Sequence, residues 1–165
     1  MLSTNNVTIS LGNPVTVPFL VPVEHKSAPA CISDPFMVGA RCFRVTAMSF
    51  GNPHGAVFVD DLENVDVSEL GLALGTHALF PKGADIVFIQ VLDKENIKAC
   101  LWQKDKGEAV FTAEAACVAG TAAMMCHKVL LNDVSVFMGG NKFHMKWDRG
   151  VGVVSLTGPE DLLSA

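Results

Sequence analysis

Phe111-Thr112-Ala113-Glu114-Ala115-Ala116-Cys117-Val118-Ala119-Gly120 opens the stretch that decides the fold of this 165-residue chain. Thr112 carries a side-chain oxygen just ahead of a run of small residues, the pattern of an N-cap followed by a helix. The run continues far enough to predict one long helix over 113–131. Its alanines and Gly120 let neighbouring backbone come close, while Val118, Met124, Met125 and Val129 add bulk. Few charges interrupt it, so it should be buried on most sides.

Outward from that helix the chain reads mainly as strands. Residues 7–11 and 15–23 are rich in Val, Ile, Leu and Phe, and Pro14, Pro18 and Pro22 restrict them to edge or irregular strands. Residues 24–37, with Pro29, Asp34 and Pro35, read as a loop. Arg41–Phe50 alternates as a strand, Gly51-Asn52-Pro53-His54 turns it, and Gly55–Asp60 follows as another. Residues 66–74 suggest a short helix capped by Asp66 or Ser68 and limited by Gly71 and Gly75. Residues 85–92 and 96–104 form a hairpin, and 134–138, 142–147 and 151–156 are further short strands. The expectation is a single α+β domain over 1–165, roughly eight strands around one buried helix.

Composition narrows the function classes. Mean hydropathy is +0.36, yet no run approaches the roughly 18–20 uninterrupted apolar residues of a membrane span. The first residues, Met1-Leu2-Ser3-Thr4-Asn5-Asn6, show no basic and apolar leader, so a cytoplasmic location is expected. A net charge of -5, with 12 scattered basic residues, offers no stripe for phosphates, so neither nucleic acid nor membrane is an expected partner. Five cysteines without a CxxC pair suit reduced, mostly buried thiols. His25, His54, His77, His127 and His144 form no metal-ligand spacing, and phosphate-loop and dinucleotide fingerprints are absent.

Five markers in order carry a resemblance. They are Ser49-Phe50-Gly51-Asn52-Pro53-His54, the strand Val57-Phe58-Val59-Asp60-Asp61, the pair Gly107-Glu108, the helix Ala115-Ala116-Cys117-Val118-Ala119-Gly120, and the terminal Leu156-Thr157-Gly158-Pro159. From about Val7 to Glu160 the chain resembles the C-terminal half of the diaminopimelate epimerases. The resemblance implies a β-barrel-like antiparallel or mixed sheet wrapped around one long central helix. It also implies a partner half of similar fold, with the substrate between the two. In such enzymes each half supplies one cysteine at a helix N-terminus, where the dipole favours the thiolate. One thiolate removes the α-proton, the opposing thiol delivers one to the other face, and no cofactor is needed.

Under this resemblance the second-half cysteine position falls on Thr112. A threonine hydroxyl is far too weak an acid to replace a thiolate, and capping is its simpler role. Glu114 would compete with a substrate carboxylate for the helix amides, so an amino-acid zwitterion should bind poorly. The family's Glu-Arg pair corresponds to Gln103-Lys104, which loses bidentate guanidinium recognition. The asparagine expected in the strand that begins Asp85-Ile86-Val87-Phe88 is Val87, and Phe111 stands where a small residue would. Asn52 and His54 match substrate-contacting and thiol-tuning positions; beside those roles stand a turn determinant and a buried, hydrogen-bonded histidine. Cys42 and Cys117 read as ordinary strand and core residues, and His127 and Lys128 as complements to the helix C-terminus.

Three functions follow as expectations. The first is a repurposed, cofactor-independent isomerase or cyclase acting by proton transfer on a small molecule less polar than an amino acid. Glu114, assisted by His54, would be its acid or base, and Asn52, Phe111, Thr112, Gln103, Lys104 and Val87 would line the site. The second is a non-catalytic subunit that forms a homodimer or pairs with a separate epimerase-like half, covering the face a sister domain would occupy. The third, an amino-acid epimerase using a partner's thiol, needs Cys42 or Cys117 at the site, and the sequence puts neither there.

Overall fold

The computed structural model describes residues 5–24, 30–130 and 132–163. They form ten strands: β1 (Asn6–Gly12), β2 (Asp34–Val38), β3 (Arg41–Ser49), β4 (Pro53–Phe58), β5 (Asp85–Val91), β6 (Asn96–Gln103), β7 (Gly107–Ala109), β8 (Asp133–Met138), β9 (Asn141–Asp148) and β10 (Val153–Pro159). The helices are α1 (Val67–Gly75), α2 (Ala113–Met125) and α3 (Glu160–Leu163), with a 3-10 turn at Leu62–Asn64.

The strands make one mixed sheet in the order β1-β10-β9-β8-β6-β5-β4-β3-β2, with β7 added beside β6. Most neighbours are antiparallel, but β4 with β5 and β6 with β8 are parallel. Each parallel pair needs a crossover. α1 lies in the first crossover and α2 in the second.

Alternation along β5 explains how both helices are held. Val87 and Ile89 join the core cluster around α2, while Ile86 and Phe88 join the cluster around α1. Strand and turn signals near the centre of the sheet therefore read correctly, because burial on both faces makes β5 a continuous apolar run.

The expected barrel-like wrap around one long central helix is corrected in two respects. The sheet is not closed, since β1 and β2 remain edge strands. α2 has 13 residues and ends at Met125. Its end has a local cause: His127 adopts φ 57, its N–H bonds to the Met124 carbonyl, and the Lys128 N–H reaches the Ala123 carbonyl. That paired closure satisfies the last carbonyls and turns the chain out of the helix. Residue 131, the expected helix end, lies outside the described residues, as does His25.

Two strand expectations also change. Residues 34–38 form β2 rather than a loop, because an edge position tolerates Pro35. Residues 15–23 hold only an isolated bridge between Val15 and Ser49 followed by turns, and Val17, Phe19 and Leu20 are exposed.

Candidate functional site

A polar corner forms where β4 and β5 begin and β6 ends. The parallel pairing sets His54 opposite Asp85, so both sit at the same level of the sheet. Ahead of them, Gly51 takes φ +116 in the turn after β3, and its N–H donates to Ser49 Oγ over 3.1 Å.

Asp85 is the centre of the corner. Its side chain accepts the Asn52 Nδ2–H on Oδ2 at 3.0 Å and the Lys104 backbone N–H on Oδ1 at 2.9 Å. Both oxygens of this buried carboxylate are thereby satisfied. The sequence reading did not single out Asp85. It lies two residues before Val87, on the same face of β5, and its signal was an acid opening an otherwise apolar strand.

His54 is 1% exposed. Its Nδ1 lies 2.9 Å from the Asn52 carbonyl oxygen. A carbonyl only accepts, so Nδ1 carries the hydrogen and Nε2 of the neutral ring is an acceptor. Nε2 stands 3.8 Å from Asp85 Oδ2 and has no hydrogen-bond partner among the described residues. Burial holds the imidazole below its usual range, opposed by the Asn52 hydrogen bond and by the charges of Asp85 and Glu114.

The start of α2 supplies the remaining groups. Thr112 is extended at φ -138 and ψ 151, and its Oγ1 accepts the Ala115 N–H at 3.0 Å. That is the N-cap expected of this residue. Glu114, in the first turn, is half-buried, and its charge acts on His54. Phe111 stacks on the buried Phe143 with ring centroids 4.3 Å apart, which fixes the chain's entry into α2.

Other expected lining residues lie apart from this cluster. Val87 is 0% exposed and belongs to the core against α2. Gln103 is half-buried at the end of β6, opposite Gly107. Lys104 touches the corner through its backbone, while its Nζ donates to the Lys82 carbonyl at 2.6 Å. A surface groove of about 510 Å³ is lined by Phe19, Leu20, Pro22, Pro81 and Lys82, and holds none of the corner residues. Among the described residues no group of three His, Cys, Asp or Glu side chains is placed to hold a metal. Among the described residues no helix is long and apolar enough to cross a membrane.

Comparison with known proteins agrees with the markers. The chain is 30% identical over 167 residues to the diaminopimelate epimerase of Carboxydothermus hydrogenoformans, covering 99% of this chain and 58% of that protein. It is 29% identical over 153 residues to the diaminopimelate epimerase of Leptospira biflexa, covering 93% and 54%. The chain thus spans about half the length of the curated relatives it matches.

Among solved structures, a hydroxyproline epimerase from Agrobacterium vitis with bound trans-4-hydroxy-L-proline shares the fold at TM-score 0.65 and 10% identity, over 94% of this chain and 50% of that one. A phenazine biosynthesis protein of the PhzF family from Bacillus anthracis does so at TM-score 0.59 and 13% identity, over 94% and 58%. These likenesses concern fold alone. The diaminopimelate epimerase family model itself matches residues 46–162, from the middle of β3 into α3 and through the whole polar corner. This chain belongs to the diaminopimelate epimerase family.

Proposed function

We propose that the chain is a cofactor-independent isomerase or cyclase that transfers a proton on a substrate less polar than an amino acid. Glu114 is its acid or base, and His54 assists. The observation that carries this reading is the polar corner: a neutral, buried imidazole on which both Asp85 and Glu114 act, at the start of α2. Asn52, Thr112 and Phe111 shape the surroundings, while Gln103, Lys104 and Val87 contribute through the strands that carry them.

Two-thiol chemistry is the alternative that this reading rejects, with Thr112 standing in the position of the second thiol. Its hydroxyl is engaged as a cap. Cys117 is fully buried, and desolvation raises its pKa, which disfavours the thiolate. Cys42 lies at the start of β3, whereas Met48, near the other end, pairs with His54.

Solvent-deuterium incorporation and turnover on a panel of small carbon acids test the proposal. Glu114→Gln should abolish turnover, and unchanged turnover would remove Glu114 from the mechanism. Exchange of a free amino acid's α-proton by the purified chain would overturn the assignment of a less polar substrate.

A second reading, a non-catalytic subunit that pairs with itself or with a separate first-half chain, is favoured by one observation. Phe19 and Leu20 are 86% and 62% exposed and line an open surface groove with Pro22 and Pro81. A strictly monomeric chain at high concentration in light scattering would count against it.

A further inference from the structure

The two faces of β6 and β8 meet different surroundings. Ile97, Ala99 and Leu101 of β6 and Val136 and Met138 of β8 enter the core against α2. The residues between them, Lys98 and Cys100 on β6 and Phe137 on β8, belong to the opposite face. On that face α1 packs closely over Trp102 of β6, while Cys100 and Phe137 are only half-buried and Leu92 is 48% exposed. Together with Lys98, these three line a groove of about 500 Å³. Gly139 and Gly140, which turn β8 into β9 at φ +60 and +77, complete the wall without adding a side chain to the space. A groove of this volume suits a small molecule.

The charge around this apolar wall has one sign. The chain carries a net charge of -5, yet no acidic side chain lines the groove and Lys98 does. Strand register sets Phe137 between Lys98 and Lys142, and the Lys142 ammonium stands 5.7 Å from the centre of the Phe137 ring. Among the described residues the ion pairs are those of His54 with Asp85 and His144 with Asp133, so no carboxylate in contact neutralises either lysine. The acids nearest in chain or charge are engaged elsewhere. Asp93 accepts from the Asn96 carboxamide and the Glu95 N–H, and Glu108, whose charge reaches Cys100, accepts from the Ser68 hydroxyl. Burial pushes the Cys100 thiol up, so it stays uncharged and part of the apolar wall.

We propose that this groove binds a small amphiphilic carboxylate, with its apolar body laid over Leu92, Cys100 and Phe137 and its acid group between the ammonium groups of Lys98 and Lys142. Apolar contact supplies the affinity, and the two unneutralised lysines select the sign of the head group. A cationic amphiphile meets two like charges, and a neutral one gains the apolar contact alone. The groove contains none of the polar-corner residues, so the assignment is independent of the proton-transfer reading.

Amide spectra of the full chain read binding through Gly139 and Gly140 during titration with sodium octanoate, 1-octanol or octylammonium chloride at matched ionic strength. The expected result is a saturable shift with octanoate at an affinity about fivefold above that for octanol, and a weaker response still to octylammonium. Lys98→Met and Lys142→Met should each weaken octanoate about two- to fivefold, the range of an exposed ion pair, and leave octanol binding unchanged. Leu92→Glu places a like charge at the rim and should weaken octanoate more than octanol. All three positions are exposed, and the same spectra report whether each variant is folded.

Equal affinity for the three compounds, or octanoate binding that is unchanged in both lysine variants, would overturn the proposal. Shifts of Gly139 and Gly140 that grow with protein concentration in the absence of any compound would assign the groove to a second copy of the chain instead. Sedimentation with phosphatidylglycerol vesicles without a response to monomeric octanoate would assign it to a membrane surface, and either result would overturn the proposal. Unchanged turnover in Glu114→Gln would leave it standing.

Discussion

The carboxamide of Asn52 donates to Asp85 Oδ2 over 3.0 Å, joining the turn after β3 to the first residue of β5. The bond fixes the side chain of a turn residue that would otherwise rotate freely. Asp85 also caps the chain as it leaves β6, through the Lys104 N–H. One buried carboxylate thus secures two neighbouring connections.

Asp85→Ala should accordingly cost more than an ordinary surface change. It leaves the Asn52 carboxamide and the Lys104 amide without their acceptor, and because both residues are exposed and can turn to water each loss should be worth about 0.5–1.5 kcal/mol. Urea unfolding of the variant should show a lower midpoint at an unchanged slope. A midpoint equal to that of the parent chain would mean that water replaces the carboxylate without penalty.

Stability should also depend on pH through His54. Burial places the folded-state pKa below that of the unfolded chain, which is about 6.5. Above that pH the ring is neutral in both states and stability is full. As pH falls below it, the unfolded chain takes up a proton that the folded ring resists, and stability declines until the folded pKa is reached. The limiting slope from this one group is about 1.4 kcal/mol per pH unit. His54→Gln should flatten that part of the profile, and a variant with the parent's slope would assign the effect to other groups.

Two glycines in helices should respond differently to alanine. A Cβ at Gly71 would collide with the Cβ, Cγ and Cδ1 atoms of Trp102, which is buried against α1. The ring has no flexible end to withdraw, so Gly71→Ala should destabilise by about 1–3 kcal/mol. At Gly120 the nearest atom is the Met145 sulfur, 2.5 Å from the added Cβ. Methionine adapts more readily, and alanine gains helix propensity, so the net cost should be smaller. Thermal melts of both variants compare them directly.

The parts of the fold legible in the sequence were those where one physical signal dominated. The continuous apolar run of β5 and the apolar patterning of β6, β8, β9 and β10 located those strands, and the Thr112 cap marked where α2 begins. Its end at Met125 was hidden because His127 enters the left-handed region without being glycine. β2 was hidden because Asp34-Pro35 is also a loop signature, and only its edge position makes it a strand.

At the corner, Asn52 and His54 were legible as a motif, and Glu114 as an acid in a small-residue helix. Asp85 was not, since nothing local distinguishes a buried acid from a solvated one at the head of a strand. Val87, on the same face, lies one step deeper in the core. The parallel pairing of β4 with β5 decides which of the two meets His54, and no local pattern encodes that pairing.

That pairing also governs when the corner appears during folding. Asn52 and Asp85 are 33 residues apart, with α1 between them. Bringing their strands side by side requires closure of a long loop before the Asn52–Asp85 hydrogen bond can form. The local hairpins of β5 with β6 and of β8 with β9 carry no such delay. The complete corner, with His54 set opposite Asp85, is therefore a late product of assembly, absent from any intermediate that holds only hairpins until β5 has docked beside β4.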